Sequence, residues 1–147
     1  MRVSVIGGST VGDERYEQAR DVGRLLAERD HVVVCGGRGG VMEAVARGAT
    51  DAGGHTIGIL PGEDWTAANE YIETPVATGL GNARNALVVM NGDAAIAIDG
   101  STGTLSEIAL ALDAGKPVAG LDTHEVDGVK AVETPTAAVE HVESLRH

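Results

Sequence analysis

Phenylalanine is absent from this 147-residue chain, and one Trp and two Tyr bring the aromatic content to only 2%. A core without large rings has to be built from Val, Ile, Leu and Ala, which suits the buried strands of a parallel α/β sheet. Lysine is nearly missing: Lys116 and Lys130 stand beside nine arginines and 22 acidic residues, for a formal charge of −11. So sparse a basic complement argues against nucleic-acid binding through a basic face. The acidic, Lys-poor composition resembles that of proteins from salt-loving organisms, where screening removes self-repulsion, and equally fits an ordinary acidic cytosolic protein. Cys35 is the single cysteine, so no intrachain disulfide is possible. At the end of an apolar strand it reads as a buried, unreactive thiol. No apolar run approaches the roughly 20 residues that span a membrane, and the apolar stretch 3–6 is too short for a signal peptide. The expectation is a cytoplasmic protein with no membrane partner. The five histidines, His31, His55, His124, His141 and His147, lack metal-ligand spacing, so no metal is expected.

What the chain does have is 43% apolar residues and 21 glycines. This length and content fit one compact domain over residues 1–147. Short apolar runs alternate with helical patterns from end to end, the signature of repeated βα units. Strands are predicted at 2–6, 31–35, 56–60, 73–77, 94–98, 118–121 and, as an edge strand, 129–132. Helices are predicted at 14–28, 41–52, 82–90 and 104–114, with a final one opened by Thr134 as N-cap and Pro135 at its first position. Gly53-Gly54 and Gly115 mark helix ends. The polar connection 63–81 is long for a compact domain and reads as functional or mobile.

Three glycine-rich turns follow three of these strands: Gly7-Gly8-Ser9, Gly36-Gly37-Arg38-Gly39-Gly40 and Gly100-Ser101-Thr102-Gly103-Thr104. In a parallel sheet all such turns emerge at the carboxyl edge, where ligands bind. They converge on one crevice if their strands are neighbours. Neither the P-loop nor the dinucleotide fingerprint is present. The third turn has the makings of a phosphate cradle, with glycines for close approach, hydroxyls from Ser101, Thr102 and Thr104, and unpaired N–H groups at the start of the helix that follows. Glu107 lies one turn further on. It either acts on the rest of the ligand or completes a capping box with Thr104. Arg84, near a helix start where a cation is disfavoured, is either a solvated surface residue or is aimed at an anionic ligand or at Glu107. Glu43 reads as a charge that stabilises its helix N-terminus. Asp99 beside the cradle repels an anion unless it faces away or meets a cation.

The runs Gly36-Gly37-Arg38-Gly39-Gly40-Val41-Met42, Gly53-Gly54, Gly58-Ile59-Leu60-Pro61 and the turn ending at Glu107 resemble the Lonely Guy (LOG) family. That family carries GGGxxGLMG and PGGxGTxxE, with an arginine fifteen residues before the second; here Arg84 stands fifteen before Asp99. Arg84-Asn85 and the run from Gly103 to Leu112 look closer to a short branch that includes molybdenum cofactor carrier proteins. The resemblance implies a Rossmann-like, doubly wound, mainly parallel sheet of six to seven strands with helices on both faces, in a homodimer. It also implies hydrolysis of a nucleoside 5′-monophosphate such as AMP to free base and ribose 5-phosphate, without a cofactor. The carry-over makes Arg84 and Glu107 the catalytic pair, makes Gly100, Ser101, Gly103 and Thr104 the cradle, and has Gly36, Gly37 and Gly40 line the ligand. The other reading the resemblance implies is a noncatalytic carrier of a phosphorylated pterin such as the molybdenum cofactor. Asp99, Ser101, Glu43, Cys35 and Asn85 depart from the enzyme pattern, and bear on phosphate affinity and turnover more than on fold. The dimer surface is expected on the helix of Val88 or on that of Leu110.

Overall fold

The structure, a computed structural model, describes residues 1–145. Among them the chain forms seven strands: β1 (Arg2–Gly7), β2 (Val32–Cys35), β3 (Thr56–Leu60), β4 (Thr74–Ala77), β5 (Ala94–Ile98), β6 (Val118–Leu121) and β7 (Val129–Val132). Five α-helices join them: α1 (Asp13–Glu28), α2 (Val41–Asp51), α3 (Asn85–Met90), α4 (Thr102–Asp113) and α5 (Pro135–Ser144). All strand pairs are parallel, in the order β4-β3-β2-β1-β5-β6-β7. The fold is a doubly wound, Rossmann-like α/β sheet, as expected.

Strand alternation divides the core. Val3, Val5, Ile96 and Ile98 point to the face covered by α1, α2 and α5, where they meet Val22, Leu26, Val45 and Val139. Ile6, Ala95 and Ala97 point to the opposite face, against Val88 and Val89 of α3 and Ile108 of α4. All five residues of β5 are buried, which is why this central strand reads as an unbroken apolar run. Ser4 is the polar exception on β1, and its buried hydroxyl donates to the Val88 carbonyl at 2.7 Å. The edges are less apolar. Pro75 sits in β4, where the missing N–H is tolerated.

Two expected boundaries move. The helix predicted at 82–90 is split into a 3₁₀ turn, Gly81–Arg84, followed by α3. Gly79 and Gly81 both take left-handed φ angles (66° and 60°), so the chain arrives tightly wound and opens with a bond across three residues, from Ala83 N to Leu80 O. Helix α4 starts at Thr102 rather than Thr104, because Asp99 and Gly100 turn the chain with φ of 53° and 114° directly after β5. At the other end of the chain, Thr134 caps α5 as expected, its Oγ1 accepting from Ala137 N at 3.1 Å.

Candidate functional site

The chain winds outward from β1 through β2, β3 and β4, then returns beside β1 as β5 and winds the other way. The carboxyl ends of β1 and β5, in register at Gly7 and Ile98, therefore flank the switch point where an open α/β sheet forms its ligand crevice. A cavity of about 160 Å³ opens there, lined in part by Gly7, Ser9, Gly36, Arg84, Ser101, Gly103, Thr104 and Glu107. The strands of the three glycine turns are neighbours, and residues from all three turns meet in this one space.

The cradle is built by the first turn of α4. Ser101 is its N-cap, yet no side chain caps the helix, and its carbonyl accepts the first helical bond from Leu105 N at 3.0 Å. Among the described residues nothing accepts from the N–H groups of Thr102, Gly103 or Thr104, so the positive end of the helix is free for an anion. Gly100 is required under it: a Cβ there would lie 2.3 Å from Thr104 Oγ1, at a φ that L side chains avoid.

This geometry removes the capping-box reading. Thr104 lies inside the helix, not at its N-cap, so its hydroxyl is not placed to cap the first N–H groups. The Glu107 side chain has no hydrogen-bond partner among the described residues, although it is only 6% exposed and lines the cavity. Burial pushes its carboxyl up to about 7, against the opposing pull of Arg84.

Arg84 is not a solvated surface residue. It crosses over Gly36, where a Cβ would come within 2.8 Å of Nη1, and Nη1 donates to Asn85 Oδ1 at 2.7 Å. Its Nε is buried without a partner among the described residues. Burial lowers the guanidinium pKa while the Glu107 charge raises it, although the two make no direct ion pair. A cation and a carboxyl thus both line the cavity beside a helix N-terminus, an arrangement able to hold a phosphorylated sugar and to exchange a proton with it.

Other sequence-predicted residues stand outside the lining. The Gly8 carbonyl accepts from Val41 N at 3.0 Å, and a Cβ on Gly40 (φ 63°) would meet that same carbonyl at 2.3 Å. Gly8 and Gly40 therefore form a joint that closes the N-terminus of α2, while buried Gly37 packs on Leu60 and Gly58. Arg38 is exposed, but its charge reaches Arg84. Its carbonyl accepts from Asn69 Nδ2 at 2.7 Å, which ties the long 63–81 connection to the second glycine turn. Thr102 is exposed and outside the lining, and only its unpaired N–H belongs to the helix start. Asp99 also stays out of the lining. Glu43 accepts from Tyr16 Oη at 2.9 Å, a tie between α1 and α2. Cys35 is fully buried, and burial pushes its thiol up to about 11.

Five lining residues, Val5, Ile6, Met42, Asn82 and Asn85, were not among those expected. Asn85 is the most informative, because it is 9% exposed and oriented by Arg84. The sequence marked it through its pairing with Arg84 and its departure from the enzyme pattern, not as a residue lining the ligand.

The profile of the SLOG cluster4 family matches residues 1–147. An uncharacterised protein of Archaeoglobus fulgidus is 44% identical over 142 residues, covering 96% of this chain and 93% of that protein. The solved structure of the molybdenum cofactor binding protein from Rippkaea orientalis superposes with a TM-score of 0.92 at 34% identity, covering 98% of this chain and 96% of that one. A cytokinin riboside 5′-monophosphate phosphoribohydrolase of Rhodococcoides fascians is 36% identical over 113 residues, covering 71% of this chain and 56% of the enzyme. The chain spans about half the length of the phosphoribohydrolases it matches.

Proposed function

Because the chain belongs to the SLOG cluster4 family, we propose that it binds a nucleoside 5′-monophosphate and hydrolyses its N-glycosidic bond. The observation that carries this reading is the Glu107 carboxyl. It is buried, unpaired and shifted to about 7 beside the open N-terminus of α4. A group used only to hold an anion has no reason to be a carboxyl, whereas a buried one that titrates near neutrality is suited to proton transfer.

In this reading the N–H groups of Thr102, Gly103 and Thr104 hold the phosphate, and Ser9 and Ser101 add hydroxyl contacts. Arg84 orients the ligand and keeps a fraction of Glu107 ionised. The ribose lies toward Glu107. As the bond between C1′ and the base nitrogen lengthens, positive charge builds on the sugar, and the carboxylate stabilises it and takes a proton from the attacking water. The C1′–N bond breaks, a C1′–O bond forms, and the proton taken from water balances the one gained by the departing base. The two products are free base and ribose 5-phosphate.

A second reading, a carrier of a phosphorylated pterin such as the molybdenum cofactor, is favoured by the full-length match to the Rippkaea orientalis protein. The same free N–H groups would hold that ligand's phosphate, and a protonated Glu107 would not repel it. The exposed Met90 on α3 and Leu105 and Leu110 on α4 support a homodimer formed through that face. Soaking AMP into crystals of Glu107→Gln tests the binding geometry. Phosphate density at Gly103 N and Thr104 N with C1′ toward residue 107 is expected; phosphate elsewhere contradicts the assignment. Native mass spectrometry of anaerobically purified protein tests the carrier, which requires a co-purifying phosphorylated pterin.

A further inference from the structure

The segment after β6 leaves the sheet next to the cradle but outside the cavity. Asp122 takes a left-handed φ of 47° and pairs with Arg15 at 3.2 Å. Thr123 Oγ1 then donates to the Asp99 carbonyl at 2.7 Å, and His124 Nε2 lies 2.9 Å from the Ser101 carbonyl. A carbonyl only accepts, so the His124 ring carries a proton on Nε2. The Ser101 carbonyl is already the acceptor of the first α4 bond, and the imidazole adds a second tie to the same atom. Between the two pinned carbonyls lies Gly100, and with Asp99 it forms a run of two left-handed residues, a conformation that persists only where its surroundings hold it.

We propose that His124 is a positioning residue for the cradle. It does not line the cavity. By fixing Ser101 it sets the direction in which the free N–H groups of Thr102, Gly103 and Thr104 converge, while Thr123 fixes the other flank at Asp99. This rests on the phosphate-binding reading above and deepens it, because it places part of the ligand's affinity on a loop 23 residues away in sequence.

The test compares the full chain with His124→Ala and His124→Gln, whose amide N–H can reach the same carbonyl. Calorimetric titration with AMP, each chain also carrying Glu107→Gln so that AMP stays intact, measures affinity, and amide hydrogen exchange at residues 100–104 of the unliganded chains measures the order of the turn. His124→Ala is expected to weaken AMP binding by roughly tenfold, the loss of one hydrogen bond, and to speed exchange at the turn. His124→Gln should recover both. Unchanged affinity and exchange in His124→Ala overturns the proposal, as does a loss that His124→Gln fails to recover. If the chain that keeps His124 does not bind AMP, the phosphate reading fails, and exchange in the unliganded chains still decides whether His124 fixes the turn.

Discussion

Glu107→Gln should make the unliganded protein more stable at alkaline pH while disarming it. The carboxyl's ordinary value is 4.5 and burial raises it to about 7 in the folded chain. Between those values the folded state keeps a proton that the unfolded state has released, so stability falls as the pH rises from 4.5 through 7 and levels off above it. At about 1.4 kcal/mol per pH unit, the penalty at pH 9 is about 3 kcal/mol. Glutamine imitates the protonated carboxyl and escapes this penalty, and the figure already includes the attraction of Arg84. The variant is therefore expected to gain about 3 kcal/mol at pH 9 and less than about 1 kcal/mol at pH 5, which for a chain of this size is a rise in Tm of roughly 5–10 °C at the higher pH. Urea and thermal unfolding of both proteins at the two pH values measures it. A difference of the same size at both, or a variant less stable at pH 9, would refute the claim that an ionised carboxyl is held against its solvation in this cavity. A residue whose neutralisation stabilises the fold is retained for function.

Gly48→Ala, a change that ordinarily strengthens a helix by roughly 1 kcal/mol, is expected to destabilise the protein by about 2 kcal/mol or more, because the new Cβ would lie 1.9 Å from the Arg20 carbonyl where α1 crosses α2; the urea midpoint reads this. Glu143 on α5 accepts from His31 Nε2 at 2.8 Å and from Arg29. Burial pushes its carboxyl up, but those hydrogen bonds and the Arg29 charge outweigh it and hold it below its ordinary value. A carboxyl lowered in this way stabilises above its unfolded pKa, and the contribution vanishes as the pH falls through the folded value. Glu143→Gln should therefore cost about 1–2 kcal/mol at pH 7 and progressively less as the pH is taken down below the ordinary carboxylate range, by denaturant unfolding across that series. If the chain forms the proposed homodimer, Leu110→Glu, on the exposed face of α4, is expected to convert it to monomer in light scattering without changing the circular dichroism.

Much of the fold was legible because buried parallel strands announce themselves as apolar runs, Ala94–Ile98 above all. Helix punctuation by Gly53, Gly115 and Thr134-Pro135 is chemically explicit in the sequence as well. The start of α4 was not, since it depends on an aspartate, Asp99, entering the left-handed region, which its side chain tolerates but does not announce. Glycine signals were ambiguous in a specific way. Gly100 and Gly36 make room for the cradle and for Arg84, while Gly40 makes room for the backbone of Gly8 and Ser9, and nothing local separates approach to a ligand from approach to a neighbouring turn. Asn85 and Met42 showed only as members of motifs and His124 only as one of five histidines, because their parts in the site arise from packing between distant elements. His124 in particular binds a backbone carbonyl, which leaves no mark on any residue type.

The most direct measurement is of the products formed when folded protein is incubated with AMP near pH 8, where Glu107 is ionised. The wild-type chain should give adenine and ribose 5-phosphate in equal amounts, and Glu107→Gln neither. Recovery of intact AMP from wild-type protein that demonstrably binds it would contradict hydrolysis and leave the crevice a carrier site.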